Sequence, residues 1–217
     1  IFDSYFNESI IKRAQTKGLI EIKIHNLRDW TTDKHKTVDD TPYGGGAGMV
    51  MKAEPIHKAL SQIANRKSQI ANQTKYKCDA RYAIHDTRIV LLSAKGKTWN
   101  QQLAKKYSKL DNIVFVCGRY EGVDERVKKF VDEEISVGDY VLTGGEIGAM
   151  AIIDSVTRLL PGVLGNEESA IHESHTAPGE LEHPHYTRPE VFTADGKKLR
   201  VPKVLLKGNH KKIEEWR

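Results

Sequence analysis

Residues 113–146 constrain the chain more than any other stretch. Two strand-length apolar runs lie within it, IVFVC and ISVGDYVL, and each empties into a loop, GRYEG after the first and TGGE after the second. An unbroken apolar run such as residues 113–117 is the pattern of a strand covered on both faces in an α/β sheet. Gly118 and Gly122 bracket Arg119, Tyr120 and Glu121, while Gly138 and Asp139 interrupt the second run before Thr143, Gly144 and Gly145 close it. Glycine lets a backbone approach a ligand closely or take positive φ, and open α/β sheets bind ligands at the carboxyl ends of their strands. A pocket is expected at these loops; the pattern alone does not say for what.

The rest of the chain supplies a frame for that pocket. Residues 5–17 read as a helix with Phe6, Ile10 and Ala14 on one face, stopped by Gly18, and the alternation of Ile20, Ile22 and Ile24 predicts a strand. No strand precedes the first helix, which is odd for an α/β unit and leads to the expectation that residues precede Ile1. Residues 33–49 are a charged stretch ending in a glycine loop. Asp39, Asp40, Pro42 and Tyr43 are unlike linker residues, and no Gly-Lys-Ser/Thr follows, so this is no phosphate-binding P-loop. Pro55 opens a helix carrying Ile56, Ala59, Leu60 and Ile63, and residues 65–86 read as a polar loop or hairpin. A strand over residues 89–92 then leads through SAKGK to a helix with Trp99, Leu103 and Tyr107. Further helices are expected on Val123, Val127, Phe130 and Val131, and on Ile147, Met150, Ile153, Val156 and Leu160, the last stopped by Pro161-Gly162. Alternating strand and helix implies a mostly parallel sheet with helices on both faces.

At 217 residues, with 39% hydrophobic and 29% charged residues, the chain fits a globular protein of one or two domains. Its longest apolar runs are strand-length, and no secretory or transit segment is visible. Two cysteines, Cys78 and Cys117, form neither a disulfide framework nor a zinc pattern, so a reducing, cytoplasmic setting is expected. The expected organisation is a sheet domain over residues 1–161, a linker over 162–178 without periodicity, and a small basic domain over 179–217. From Thr176 onward nine Lys/Arg face six Asp/Glu, so this short end holds +3 of the net +5. A polyanionic partner would be gripped there. The apolar face begun by Ile213 and Trp216 runs into the terminus, so this domain is expected to be shortened.

The segments TVDDTPYGGGAGM, VLLSAKGK, VFVCGRYEGVDERV, SVGDYVLTGGE, DSVTRLLPGVLG, PHYTRPEV and VPKVLLKGNHKKIEEWR, in this order, resemble bacterial tRNA (guanine-N1)-methyltransferase, the TrmD family of the SPOUT superfamily. The resemblance implies a homodimer that methylates N1 of the guanosine just 3′ of the anticodon, position 37, in the cytoplasm. It also implies an α/β domain tied in a deep trefoil knot around S-adenosylmethionine, followed by a small helical C-terminal domain. Pattern reasoning could not have found the knot, since chains as a rule do not thread loops. On this resemblance the cofactor is surrounded by Leu92, Ser93, Gly118, Tyr120, Glu121, Ser136, Val137, Gly138, Tyr140, Leu142, Gly144 and Gly145. Side chains added at Gly118, Gly144 or Gly145 are expected to collide with it. A magnesium requirement comes with the family, although no cluster of hard-cation ligands is legible.

Methylating guanine N1 requires removal of its proton while negative charge builds on O6, so a carboxylate base and a cation are needed. Arg158 matches the family's arginine in DSVTRLLPG. The family's linker aspartate, fifteen residues later, is replaced here by Glu173, which keeps the carboxylate and adds a methylene. The resemblance makes Glu173 the base, supplied across the dimer, with His172 and His175 beside it. For tRNA it points to residues 28–40, to the linker, and to Lys197, Lys198, Arg200, Lys203, Lys207 and Lys211 as phosphate contacts. Asp39 and Asp40 would hold the target guanine or shape the glycine loop. Two alternatives stand beside this reading: a knotted protein that binds cofactor and RNA without catalysis, and a related methyltransferase acting on another RNA base. A Rossmann dinucleotide enzyme is disfavoured, because no G-x-G-x-x-G opens a helix after a first strand.

Overall fold

The computed structural model describes residues 1–73, 87–165, 174–175, 177 and 179–217, with side chains of residues 64–73 left aside. Cys78, His172 and Glu173 lie outside the described residues. The chain divides into two compact units, Ile1–Glu167 and Glu168–Arg217.

The first unit is built on a three-stranded parallel sheet in the order β4-β3-β5, with β3 (Thr87–Thr98) at its centre, β4 (Asn112–Cys117) on one side and β5 (Glu133–Ser136) on the other. Period-two alternation along β3 sends successive side chains to opposite faces. Leu91 joins Val116, Val127, Met51 and the face of α3 (Ala53–Gln73) carrying Ile56 and Leu60. Val90 joins Ile135, Leu103 and Tyr107 of α4 (Gln101–Tyr107), and Ile152 and Val156 of α5 (Glu146–Thr157). The sheet therefore carries helices on both faces, as the strand–helix alternation predicts.

Several elements differ from expectation. The first helix is two, α1 (Phe2–Phe6) and α2 (Ser9–Thr16), separated where Ser9 takes φ 48°. Residues 20–25 are assigned to no strand, because no strand among the described residues offers them a ladder. β4, expected to be covered all round, is mostly half-buried, with Val116 alone fully buried. Both its faces are packed, so the exposure comes from its lateral edge, which pairs with no strand among the described residues. Helix α3 runs on to Gln73, into the stretch expected as loop. The helix expected after Gly122 is a 3-10 turn, Glu125–Phe130, started by Asp124 accepting from the Arg126 N–H at 2.9 Å. In α5 the buried face is Gly148, Ala149, Ile152 and Val156, leaving Ile147 49% exposed.

Two short strands, β1 (Asp39–Asp40) and β2 (Val50–Met51), pair antiparallel and close the glycine loop between them. The second unit was expected to be helical. It instead begins with a hairpin of β6 (Val191–Ala194) and β7 (Lys197–Arg200), followed by α6 (Lys203–Leu206) and α7 (His210–Trp216). The Asp195-Gly196 turn, both residues at positive φ, gives the chemistry of a tight hairpin. Among the described residues no helix is long and apolar enough to cross a membrane.

Candidate functional site

The strand register brings the carboxyl ends of the sheet together: Leu92 lies opposite Cys117 on one side and Ile135 on the other. The ladder slips beyond Leu92, so Lys97 also faces Ile135 and residues 93–96 bulge out of the sheet. Gly96 is required at that bulge. A Cβ there would sit 2.5 Å from the backbone N of Ile135. Of the expected cofactor residues, Leu92 and Ser93 lie at this bulge, and Ser136 follows at the end of β5.

The loops after β4 and β5 touch. The Gly145 N–H donates to the Gly118 carbonyl at 2.8 Å, and Arg119 and Gly144 form an antiparallel bridge. A Cβ on Gly145 would lie 2.9 Å from Cys117 Cα, and one on Gly144 would meet the Glu146 carboxylate and Arg119 Cγ. On Gly118 it would come 3.2 Å from a Val123 methyl. The crowding at these glycines thus comes from the protein's own loops. Leu92 Cδ1 and Val137 Cγ1 stand 2.9 and 3.3 Å from the Cβ position of Gly148, so both pack on the first turns of α5. Ser136 is buried, its hydroxyl donating to the Gly138 carbonyl at 3.0 Å, and the Tyr140 hydroxyl donates to the Val137 carbonyl at 3.1 Å. Gly138 has φ 153° and lies under the Tyr140 ring, a position no side chain would share.

The glycine loop of residues 44–48 joins the same neighbourhood. The Met51 N–H donates to the Gly122 carbonyl at 2.9 Å, the Asp124 N–H to the Met51 carbonyl at 2.9 Å, and the Glu121 N–H to the Met49 carbonyl at 3.0 Å. Glu121 lies over Gly48, with its Cγ 2.6 Å from where a Cβ would be. Asp39 and Asp40 pair with Met51 and Val50 at the base of this loop, and Asp40 Oδ1 accepts from the Thr41 N–H at 2.8 Å.

Sequence reasoning missed one contact that organises the loops: Arg119 Nε donates to Glu146 Oε1 at 2.6 Å. The pair fixes the loop after β4 to the first turn of α5, where a carboxylate also suits the helix dipole, and Glu146 raises the guanidinium pKa further. Their separation of 27 residues leaves no local signal. Burial, with Glu146 next, pushes the Cys117 thiol up to about 12, so it is neutral at pH 7 and no nucleophile.

Arg158 stands apart from the loops within one chain. It caps the C-terminus of α5 while Gly144 and Gly145 stand at the N-terminus, and twelve helical residues at 1.5 Å each separate them by roughly 18 Å. Among the described residues no group of three or more His, Cys, Asp or Glu side chains could hold a metal ion. In the second unit every residue of β7 is exposed, so Lys197, Lys198 and Arg200 face solvent, as do Lys203, Lys207 and Lys211.

A parallel α/β unit with glycine loops packed at its carboxyl strand ends, in a chain that also carries a smaller basic unit, defines the class: an open-sheet α/β ligand-binding protein. Comparison with known proteins gives the family within that class. The family described as tRNA (Guanine-1)-methyltransferase TrmD matches residues 1–217. The chain is 50% identical over 217 residues to the tRNA (guanine-N(1)-)-methyltransferase of Dictyoglomus turgidum, covering all of this chain and 79% of that protein. It is 51% identical over 218 residues to the protein of the same name from Carboxydothermus hydrogenoformans, covering 77% of it, and 49% identical to that of Clostridioides difficile, covering 86%. The chain belongs to the tRNA (guanine-N1)-methyltransferase family.

Proposed function

We propose that this chain methylates N1 of the guanosine immediately 3′ of the anticodon, position 37 of tRNA, taking the methyl group from S-adenosylmethionine. The observation that carries this reading is the closure of the loops after β4 and β5 on each other at the strand ends, sealed by the Gly145–Gly118 hydrogen bond. The residues there suit such a donor. The backbone N–H groups of Val141, Leu142 and Thr143 make no hydrogen bond among the described residues and are free to read the edge of an adenine. Leu92 and Val137 offer apolar surface beside them, and Tyr120 and Tyr140 are more than half exposed at the rim. When bound, the cofactor supplies an electrophilic methyl group on a sulfonium. We take the loops to be those of the family's trefoil knot.

The chain's own residues then have to bind the guanine and move its proton. Glu173 serves as the base that takes the N1 proton, and the Arg158 guanidinium stabilises charge growing on O6. The length of α5 keeps Arg158 away from the loops of its own chain, which supports a homodimer in which Arg158 and Glu173 serve the partner's loops. Exposed apolar residues near those loops, Val141 at 94% and Ile147 at 49%, suit a contact between copies. Glu121, held over the glycine loop of residues 44–48, positions that loop against the base. The basic unit over residues 179–217 contacts phosphates, residues 162–178 link it to the sheet domain, and the reaction takes place in the cytoplasm.

The test is incubation of the pure protein with labelled S-adenosylmethionine and a tRNA bearing guanosine 3′ of the anticodon, followed by mass mapping of the modified nucleoside. 1-Methylguanosine at position 37 is expected. Label absent from tRNA, or on another base, would refute the assignment.

A further inference from the structure

The hairpin of the second unit carries an apolar pair that its own fold does not bury. Phe192 of β6 lies directly opposite Leu199 of β7. Side chains alternate along a strand, so this pair shares a face with Ala194 and Lys197, while Thr193, Lys198 and Arg200 stand on the other. Phe192 is 57% exposed and Leu199 54%. Among the described residues the Phe192 ring meets no other ring. A single exposed apolar side chain is ordinary. An aromatic ring paired across a ladder with an exposed leucine is instead a plate on which something flat can lie.

The surrounding charge says what lies there. Between Arg188 and Lys203 five cations stand against Glu190 and Asp195. Lys198 and Arg200 flank Leu199 in the chain, and Lys197 is on the pair's own face. Among the described residues these three make no ion pair and no side-chain hydrogen bond. The outer edge of β7 pairs with no strand among the described residues, so their long side chains can reach a ligand that crosses it. Glu190, two residues before Phe192, puts a carboxylate at the end remote from Lys197 and directs an anion to the β7 side. A small apolar plate rimmed by cations complements a nucleotide, with its uncharged flat base and its phosphate alongside. A protein partner fits less well, because a lasting contact buries roughly 800 Å² on each side. Helical RNA fits no better, since its inner bases are covered on both faces and only unstacked ones lie open to aromatic side chains.

We propose that Phe192, with Leu199 beside it, stacks one unpaired base of the bound tRNA, while Lys198 and Arg200 hold the adjoining phosphates. This rests on the reading that the substrate is tRNA and deepens it. The base is not the methylated guanosine, whose N1 has to reach the donor at the loops of the first unit. Phosphate contacts carry no sequence information; the stack lets the second unit tell a loop from a helix.

The experiment is filter binding across a salt series, without S-adenosylmethionine, of a tRNA bearing guanosine 3′ of the anticodon and of a fully paired RNA duplex. Phe192→Ala and Phe192→Leu should each weaken tRNA binding about 5- to 150-fold, the worth of one base on an aromatic ring. The slope of log K against log salt should not change, because a lost stack alters no phosphate contact. Phe192→Trp should bind tRNA at least as well as the parent, with its added indole fluorescence quenched, and duplex binding should be the same in all four proteins. Phe192→Leu keeps an apolar side chain in the hairpin, and thermal melting shows that each variant is folded. Unchanged tRNA affinity in Phe192→Ala, equal binding by Phe192→Leu and the parent, or an equal loss with the duplex overturns the proposal. Self-association abolished by Phe192→Ala with tRNA affinity intact would give the face to a second copy. No methyl transfer is read here, so the two readings fail separately: tRNA held through Phe192 but left unmethylated overturns only the activity.

Discussion

Gly145 shows how little space the loops leave at the scale of one residue. Its φ of −75° suits any amino acid, so the demand for glycine is steric: the Cβ of Gly145→Ala would press on Cys117 Cα at 2.9 Å. The substitution should push the loops apart, lower stability by about 1–3 kcal/mol as overpacking does, and weaken S-adenosylmethionine binding at least about tenfold, checked by thermal melting and calorimetric titration. Normal affinity would mean that the contact of these loops does not shape the cofactor site. On the proposed mechanism, Glu173→Gln should slow methyl transfer about 10²–10³-fold, the scale of one transition-state contact, with cofactor affinity unchanged. Single-turnover kinetics separates the two, and full turnover in the variant would move the base elsewhere. Asp124 provides a readout in pH. Its side-chain hydrogen bonds with Arg126, and then the Arg126 N–H, hold its carboxyl down to about 2. A depressed folded value means that its contribution is full above the ordinary carboxylate pKa of about 3.9 and is lost as pH falls through about 2. The turn after Gly122 should therefore stay constant above about pH 4 and lose stability between about 4 and 2, with the Asp124 carboxyl of the folded protein titrating around pH 2 by NMR.

Elements were legible where one physical rule decided them and obscure where two competed. The apolar runs at residues 89–92 and 113–117 are strands because nothing else buries them so well, and Trp99, Leu103 and Tyr107 do bring α4 onto the sheet, with Trp99 and Tyr107 meeting edge to face at 5.0 Å. The alternation of Ile20, Ile22 and Ile24 predicts a strand that the structure does not assign, since a strand also needs a partner, which no local pattern reports. The face of α5 was misread because the helix is apolar nearly all round, so spacing could not say that Gly148, tight against Leu92 and Val137, turns inward. For the candidate site, the glycines of the three loops stood out in the sequence. Their mutual contacts and the Arg119–Glu146 pair did not, because both depend on which strands become neighbours. One joint between elements can be tested directly. The Trp99 indole N–H donates to Ser155 Oγ at 3.0 Å, tying the end of β3 to α5 in a half-buried setting. Ser155→Ala removes the acceptor and leaves that donor unpaired, so it should cost about 1–3 kcal/mol in urea unfolding, with the m-value unchanged.

Over the whole molecule, charge is distributed unevenly, and that asymmetry predicts how tRNA is held. The last 42 residues hold +3 of the net +5, and the β6–β7 hairpin displays much of it. Side chains alternate along a strand, so on β7 Lys198 and Arg200 share one face while Lys197 and Leu199 share the other. A phosphate backbone lying along the hairpin can use one face at a time. The face with two cations is the stronger candidate, because each phosphate neutralised releases counterions and steepens the dependence of affinity on salt. The double variant Lys198→Ala/Arg200→Ala should therefore weaken tRNA binding in low salt and reduce the slope of log K against log salt by about 1.4–1.8, using roughly 0.7–0.9 per contact. Lys197→Ala should change the slope by less than half as much, and neither variant should alter cofactor affinity. Filter binding across a salt series decides the matter. Equal effects from the two faces would place the phosphates at the hairpin tip, and an unchanged slope in both would leave the hairpin cations as solvated surface.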